Sequence, residues 1–426
     1  MIKNKSLIKL AISLVLIVSL TAACNNAPQS NSKKKLSGKI TILTDQSYEP
    51  MLKLAADNFK KENKKVDIDI KVDNNLYNDL ELNIKSKDKS IDIAVVEDPY
   101  VKYYISKFPG SFLNVTDDVG YYNDKLIKHQ VSNLTSKNKV YGFPWSTSPE
   151  VIIYRKDIFE KEGISVDDIK TWDDYIEAGQ KVTYDTGKKF LTNVESNKSN
   201  MYLIMTNQLG TSYFNSDGNL DFNSNKSIKA ADMLQKLYSQ NILFDLKSRK
   251  ESISSILNGN SVSMIGDAKY ISYLVHNFPS YKDKLEIIKI PAFEPGGNRD
   301  VSVGGCNLMI NSSSENADAA KEFCKFSMSD DHTIIDSMKN YGYFPVFTPA
   351  YNLVEFNKNE GYFNQTVWKT LGSAEKGSMP LNYTKDFLKI SEQCKSALDA
   401  SNLKDKQVNE MLNELQKSLQ TDKNIK

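Results

Sequence analysis

Nucleophilic, metal-binding and acid–base chemistry each need particular side chains at particular spacings, and this sequence offers few of them. Its three histidines, His129, His276 and His332, are far apart, which leaves little for a histidine-rich metal cluster or a histidine-driven relay. No P-loop or glycine-rich dinucleotide loop occurs, and the Gly-Gly pairs at 296–297 and 304–305 lack the context of one. Gly-x-Ser-x-Gly elbows, Cys-x-x-Cys pairs and His-Glu-x-x-His helices are also missing from the sequence. The acidic pairs Asp117-Asp118, Asp167-Asp168 and Asp330-Asp331 are of the kind that caps helices or faces solvent. Two carboxylates across a cleft would suit glycoside hydrolysis, but nothing singles out a pair. What the chain does carry is aromatic surface, with 22 Tyr, 18 Phe and 3 Trp, and scattered acids. These are means of holding a ligand. No cofactor and no enzymatic step is called for.

The elements that must position such residues alternate between strand and helix. Residues 39–43 (KITIL) form a β-rich run, and Pro50 then suits an early helical position, where its missing N–H costs nothing. Leu52, Ala55, Ala56 and Phe59 follow at helical spacing. Residues 66–72 (VDIDIKV) alternate apolar and polar, as a strand with one buried face does. Leu76, Leu80 and Ile84 predict a second helix, and residues 91–96 a buried strand. This order implies parallel pairing with right-handed crossovers. Ligands of such sheets sit at the carboxyl ends of strands, which points to Asp45, Tyr48, Glu97, Asp98 and Tyr100. Further along, residues 151–154, 262–265, 285–290 and 306–310 read as strands. Thr171 with Asp174 forms a capping-box start, and residues 316–328 and 404–419 read as helices.

Composition bounds the class. The chain has 426 residues with 40% hydrophobic and 25% charged, so it folds, and its length favours two packed lobes over one core. A formal charge of +2 excludes the basic surplus of a nucleic-acid binder. Residues 1–23 join a lysine-bearing start to a short apolar run and read as a secretory signal. The segment ends LTAAC, so Cys24 resembles the lipidated cysteine of a bacterial lipobox, although the favoured Leu sits one place early. Several acyl chains there would hold the protein on a membrane. Residues 24–37 read as a flexible tether. Cys306, Cys324 and Cys394 remain, an odd set that allows one disulfide at most.

Several segments in order resemble the extracellular solute-binding proteins of ABC importers, family 1, the maltose-binding-like group. These are residues 140–145 (VYGFPW), 151–160 (VIIYRKDIFE) and 171–178 (TWDDYIEA). They continue with 220–224 (LDFNS), 258–264 (NGNSVSM), 290–297 (IPAFEPGG) followed by Gly304-Gly305, 316–323 (NADAAKEF) and 342–345 (GYFP). The resemblance covers about residues 38–420. Arg155 stands where the family prefers Asn.

The resemblance implies a two-lobed periplasmic-binding-protein fold (α/β, type II-like), each lobe a mostly parallel sheet flanked by helices. The expected division is 38–148 plus 286–329 for one lobe and 150–284 plus 330–420 for the other. Hinge crossings are expected near 148–151, 284–288 and 327–331. It further implies a monomeric, lipid-anchored receptor at the extracytoplasmic face of the bacterial cell membrane. Its expected partners are a small polar ligand, expected to be a carbohydrate, and the permease subunits of an ABC importer. A sugar needs aromatic faces for its C–H surface and polar groups for its hydroxyls. Trp145, beside the first hinge, is the expected platform, with a buried hinge anchor as the alternative. Tyr48, Tyr100, Tyr270 and Tyr343 lie in loops that the family uses for ligands. Asp45, Glu97, Asp98 and Asp267 are candidate hydroxyl acceptors, and Gly304 and Gly305 would let backbone N–H groups approach the ligand. Few Trp and more acids than in many relatives leave a smaller sugar, an amino sugar or a polyamine open. A ferric ion on Tyr103-Tyr104 or Tyr121-Tyr122, a non-transport sensor and a surface glycosidase are further alternatives.

Overall fold

The computed structural model of the chain describes residues 36–194 and 201–422. The expected signal segment, Cys24 and nearly all of the tether lie outside the described residues. The strands are β1 (Gly38–Thr44), β2 (Val66–Val72), β3 (Ile93–Glu97), β4 (Thr135–Ser136), β5 (Lys139–Val140), β6 (Phe143–Pro149), β7 (Val151–Arg155), β8 (Lys189–Val194), β9 (Leu243–Leu246), β10 (Ser261–Gly266), β11 (Leu285–Lys289), β12 (Ser302–Ile310) and β13 (Phe344–Pro345). They build two large sheets, one per lobe. The first has the order β13-β6-β12-β3-β1-β2, the second β11-β7-β10-β8-β9.

Each sheet is mixed rather than mostly parallel. The strand–helix–strand repeats at its start pair in parallel, β1 with β2 and β3, β8 with β9 and β10. The strands that carry the chain between lobes then add antiparallel: β12 against β3 and β6, and β7 against β10 and β11. A crossing strand enters from the other lobe, so it has no crossover helix to impose parallel pairing.

The chain leaves the first sheet at Pro149 and enters the second at Val151, with Glu150 alone between β6 and β7. The second crossing expected at 284–288 needs correction. Those residues are β11, paired along their whole length with β7 from Leu285 opposite Arg155 to Lys289 opposite Val151. The chain therefore returns between β11 and β12. The third crossing also moves. The helix Asp331–Tyr341 packs on the first-lobe helix Glu49–Glu62, where Asn58 Nδ2 donates to Thr333 Oγ1 at 3.0 Å. After it, β13 pairs with β6 in the first sheet. The helices Phe387–Ala397, Ala400–Asp405 and Val408–Thr421 return to the second lobe, the last two packing on its helix Asn225–Ser239.

Both faces of β7 are covered, and its alternation divides the core. Val151 and Ile153 join the apolar cluster that continues into the first lobe, while Ile152 and Tyr154 join the cluster under the C-terminal helices. The helix Trp172–Thr186 starts as expected, its Thr171–Asp174 capping box satisfying two otherwise orphaned N–H groups. Cys306, Cys324 and Cys394 are free and buried.

Candidate functional site

The carboxyl ends of β1 and β3, the crossing strand β6 and the turn before β13 face the end of β10 across the lobe boundary. Three aromatic rings meet there. Tyr343 lies 5.4 Å from Tyr48 and stacks on Trp145 at 6.4 Å and 20°, and Tyr48 is 6.4 Å from Trp145. Tyr48, Trp145 and Tyr343 are only 3%, 4% and 4% exposed, so the lobes are closed over them. The Tyr343 hydroxyl donates to the Ser47 carbonyl and fixes its ring against the end of β1.

Glu97, the last residue of β3, accepts from the Tyr48 hydroxyl at 2.9 Å and from the Tyr77 hydroxyl at 3.0 Å. Tyr77 also accepts the Glu97 backbone N–H at 3.1 Å and stacks flat on Tyr100, with centroids 3.4 Å apart. Burial, and after it the Glu97 carboxylate, push the Tyr48 phenol well above its ordinary range, so Tyr48 stays a neutral donor.

The second lobe supplies the turn after β10. Asp267 caps the helix Ala268–Asn277, its Oδ1 accepting from the N–H groups of Lys269 at 2.9 Å and Tyr270 at 3.1 Å. Its Oδ2 accepts from Ser148 Oγ at 3.0 Å, which ties that turn to the crossing strand. The helix start carries Lys269 into the site, its Nζ 4.8 Å from the ring centres of both Tyr48 and Tyr343. The Arg249 guanidinium lies 4.6 Å from the Tyr270 ring centre. Burial pushes the Tyr270 phenol up to about 12.

The structure therefore brings together Tyr48, Glu97, Trp145, Asp267, Tyr270 and Tyr343, with Tyr100 beside Tyr77 at the edge. Asp45 closes its own turn by accepting from the Ser47 N–H at 2.6 Å with one carboxylate oxygen, and its charge lies near enough to Tyr343 to help raise that phenol. Asp98, Gly304 and Gly305 belong to a neighbouring buried polar group. Asn307 Nδ2 donates to Asp98 Oδ1 at 2.8 Å, and the Gln130 amide, with its nitrogen turned toward Asp98, donates to Oδ2 at 2.9 Å. Thr147 Oγ1 donates to Glu375 Oε2 at 2.9 Å, and His129 Nε2 lies 3.2 Å from Glu375 Oε1. Gly305 is required there by packing: a Cβ would stand 2.5 Å from the Ser146 carbonyl oxygen and 2.9 Å from Asp98 Oδ2. Gly304 has open space but a φ of +99°, so its need is conformational. The tyrosine pairs at 103–104 and 121–122 do not enter the site. Tyr104 donates to the Tyr77 carbonyl, and Tyr121 is exposed.

Burial pushes the Asp98 carboxyl from near 3.8 up to about 6. The native state therefore holds this proton to a higher pH than the unfolded chain does. Its penalty is absent below pH 3.8, grows through the interval to pH 6 and is full above it, equivalent to about 3 kcal/mol. Asp98→Asn is expected to raise stability by up to about 3 kcal/mol at pH 7.5 and by much less at pH 4.5. Urea denaturation at the two pH values checks this, and an equal effect at both would contradict it.

Tyr77, Lys269 and Arg249 were not among the residues expected from sequence. Tyr77 sits one residue into a helix, and its partner Glu97 is 20 positions away, so no local pattern reveals it. Lys269 lies in the same turn as Asp267 and Tyr270. Its signal was available, but a lone lysine after a cap reads as solvated.

The family model described as bacterial extracellular solute-binding protein matches residues 43–334. The arabinooligosaccharide-binding protein of Bacillus subtilis (strain 168) is 26% identical over 395 residues, covering 89% of this chain and 90% of its own. Among solved structures, a maltose-bound protein from T. maritima superposes with a TM-score of 0.74 at 19% identity, over 90% of this chain and 99% of that one. The galacto-N-biose-/lacto-N-biose I-binding protein of the ABC transporter from Bifidobacterium longum gives 0.73 at 18%, over 91% and 98%. The fold of these structures is the two-lobed one described above, and with the family match spanning well over half its length, the chain belongs to the bacterial extracellular solute-binding proteins.

Proposed function

We propose that the chain captures a sugar or short oligosaccharide between its lobes and delivers it to the permease subunits of an ABC importer. The observation that carries this is the Tyr48–Trp145–Tyr343 cluster at the lobe boundary, covered from the other side by the Asp267–Tyr270 turn. Aromatic faces accept the C–H surface of a sugar, and the Ser148 hydroxyl and the Asp267 carboxylate, which bond each other across the boundary, are placed to exchange bonds with its hydroxyls once the lobes part. The names of the relatives support the cargo: one binds arabinooligosaccharides, another, from Rhizobium radiobacter, lactose. The receptor acts as a monomer, held at the outer face of the cell membrane by acyl chains on Cys24.

A ligand that binds the folded state alone raises its apparent stability by mass action. A thermal-shift screen of mono-, di- and oligosaccharides is expected to give one carbohydrate class a clear upward shift, by about 2.7 kcal/mol of stabilisation at a hundredfold excess over Kd. A flat response to every sugar would defeat the carbohydrate reading.

A further inference from the structure

Four of the acids near the lobe boundary, which would attract a cationic ligand, are engaged within the protein. Glu97 accepts from two phenols, Asp267 from two backbone N–H groups and Ser148, Asp98 from Asn307 and Gln130, and Asp45 from its own turn. Lys269 is in the opposite position. Its ammonium stands over the faces of Tyr48 and Tyr343 and has no carboxylate within 4 Å among the described residues. Any ligand laid on those two faces must meet this charge. Contact with aromatic faces compensates a cation only in part when water is displaced, and a ligand carboxylate would supply a charge-assisted bond, the stronger kind. A ligand amine at the same point would be repelled.

We propose that Lys269 is the specificity-determining residue of the site and that the preferred ligand is an acidic carbohydrate, one bearing a carboxylate over the Tyr48–Tyr343 pair. This rests on the carbohydrate reading above and narrows it. The site discriminates by charge: an acidic sugar binds more tightly than its neutral counterpart, and an amino sugar binds least.

The test is calorimetric titration of the purified chain with digalacturonate, galactobiose and the glucosamine disaccharide. Digalacturonate is expected to bind about tenfold or more tightly than galactobiose, with the amino disaccharide weakest. Lys269→Gln should bring the acidic-to-neutral ratio close to one, and Lys269→Arg should keep it well above one. A circular-dichroism melt confirms that each variant is folded. A neutral preference in the wild type, or a ratio unchanged in Lys269→Gln, overturns the proposal. Tighter binding of all three probes by Lys269→Gln also overturns it, since Lys269 would then only block the rings. Binding without charge preference sinks this proposal alone, whereas no binding by any probe sinks the carbohydrate reading and the proposal with it.

Discussion

Trp145→Ala is expected to cost the ligand-free protein about 3–5 kcal/mol, the range for emptying a buried aromatic position. The indole is 4% exposed and packs against the neighbouring pair Tyr48 and Tyr343, each 6.4 Å from it. Removing it leaves a cavity between a crossing strand and the turn before β13, and both tyrosines lose the partner that orients them. Sugar affinity is expected to fall with stability, because the remaining rings no longer hold their places. Chemical denaturation of the ligand-free variant reads the first effect directly. A melting transition indistinguishable from wild type would show that Trp145 serves only the ligand. Trp145→Phe, which keeps an aromatic face and much of the volume, should recover more than half of the loss.

Gly342→Ala should have its largest effect on affinity. Gly342 ends the helix Asp331–Tyr341 with a φ of +71°, and its N–H donates to Met338 at 2.9 Å in a left-handed cap. A Cβ there would lie 2.4 Å from the Ala268 carbonyl oxygen and 2.4 Å from the Lys269 Cα, both backbone atoms of the other lobe. Backbone cannot step aside as a flexible side chain can, so the lobes must stay apart. Opening them costs the folded lobes little beyond the roughly 1–2 kcal/mol of forcing a left-handed residue. Closure over a ligand is lost, and a shift of the open–closed balance by about 3 kcal/mol would weaken binding by about 150-fold. Affinity down by two orders of magnitude with stability down only slightly is the expected signature. Equal losses in both would place Gly342 in the fold alone.

The elements were legible where a local rule decides them. The alternation of residues 66–72 became β2 over the same residues, and the Thr171–Asp174 pair became a capping box with both of its bonds. Partnership between elements was less legible. Residues 285–289 read as a strand, but their pairing with β7 rather than with the first sheet depends on a neighbour 130 positions away. The same holds for the site. Asp45, Tyr48 and Glu97 could be placed at strand ends from the chain order, since ligands of open α/β sheets gather there. Whether each acid remains available to a ligand could not be read, because Tyr48 and Tyr77 reach Glu97 from 49 and 20 positions away. The burial of Trp145 and the seat of Lys269 on two rings are products of lobe closure, and no periodicity encodes contact between lobes. The family resemblance supplied what the periodicity lacked, namely that two separate sheets meet along a cleft.

On the proposed reading, a carbohydrate is held by the aromatic cluster at the lobe boundary. Calorimetric titration of the wild-type chain with the carbohydrate class that the thermal screen selects, repeated on Gly342→Ala, tests this most directly. Saturable binding of one ligand per chain, weakened about a hundredfold by that single methyl group at the lobe boundary, is the predicted result. Saturable binding that the substitution leaves unchanged would put the ligand elsewhere on the molecule and contradict the account.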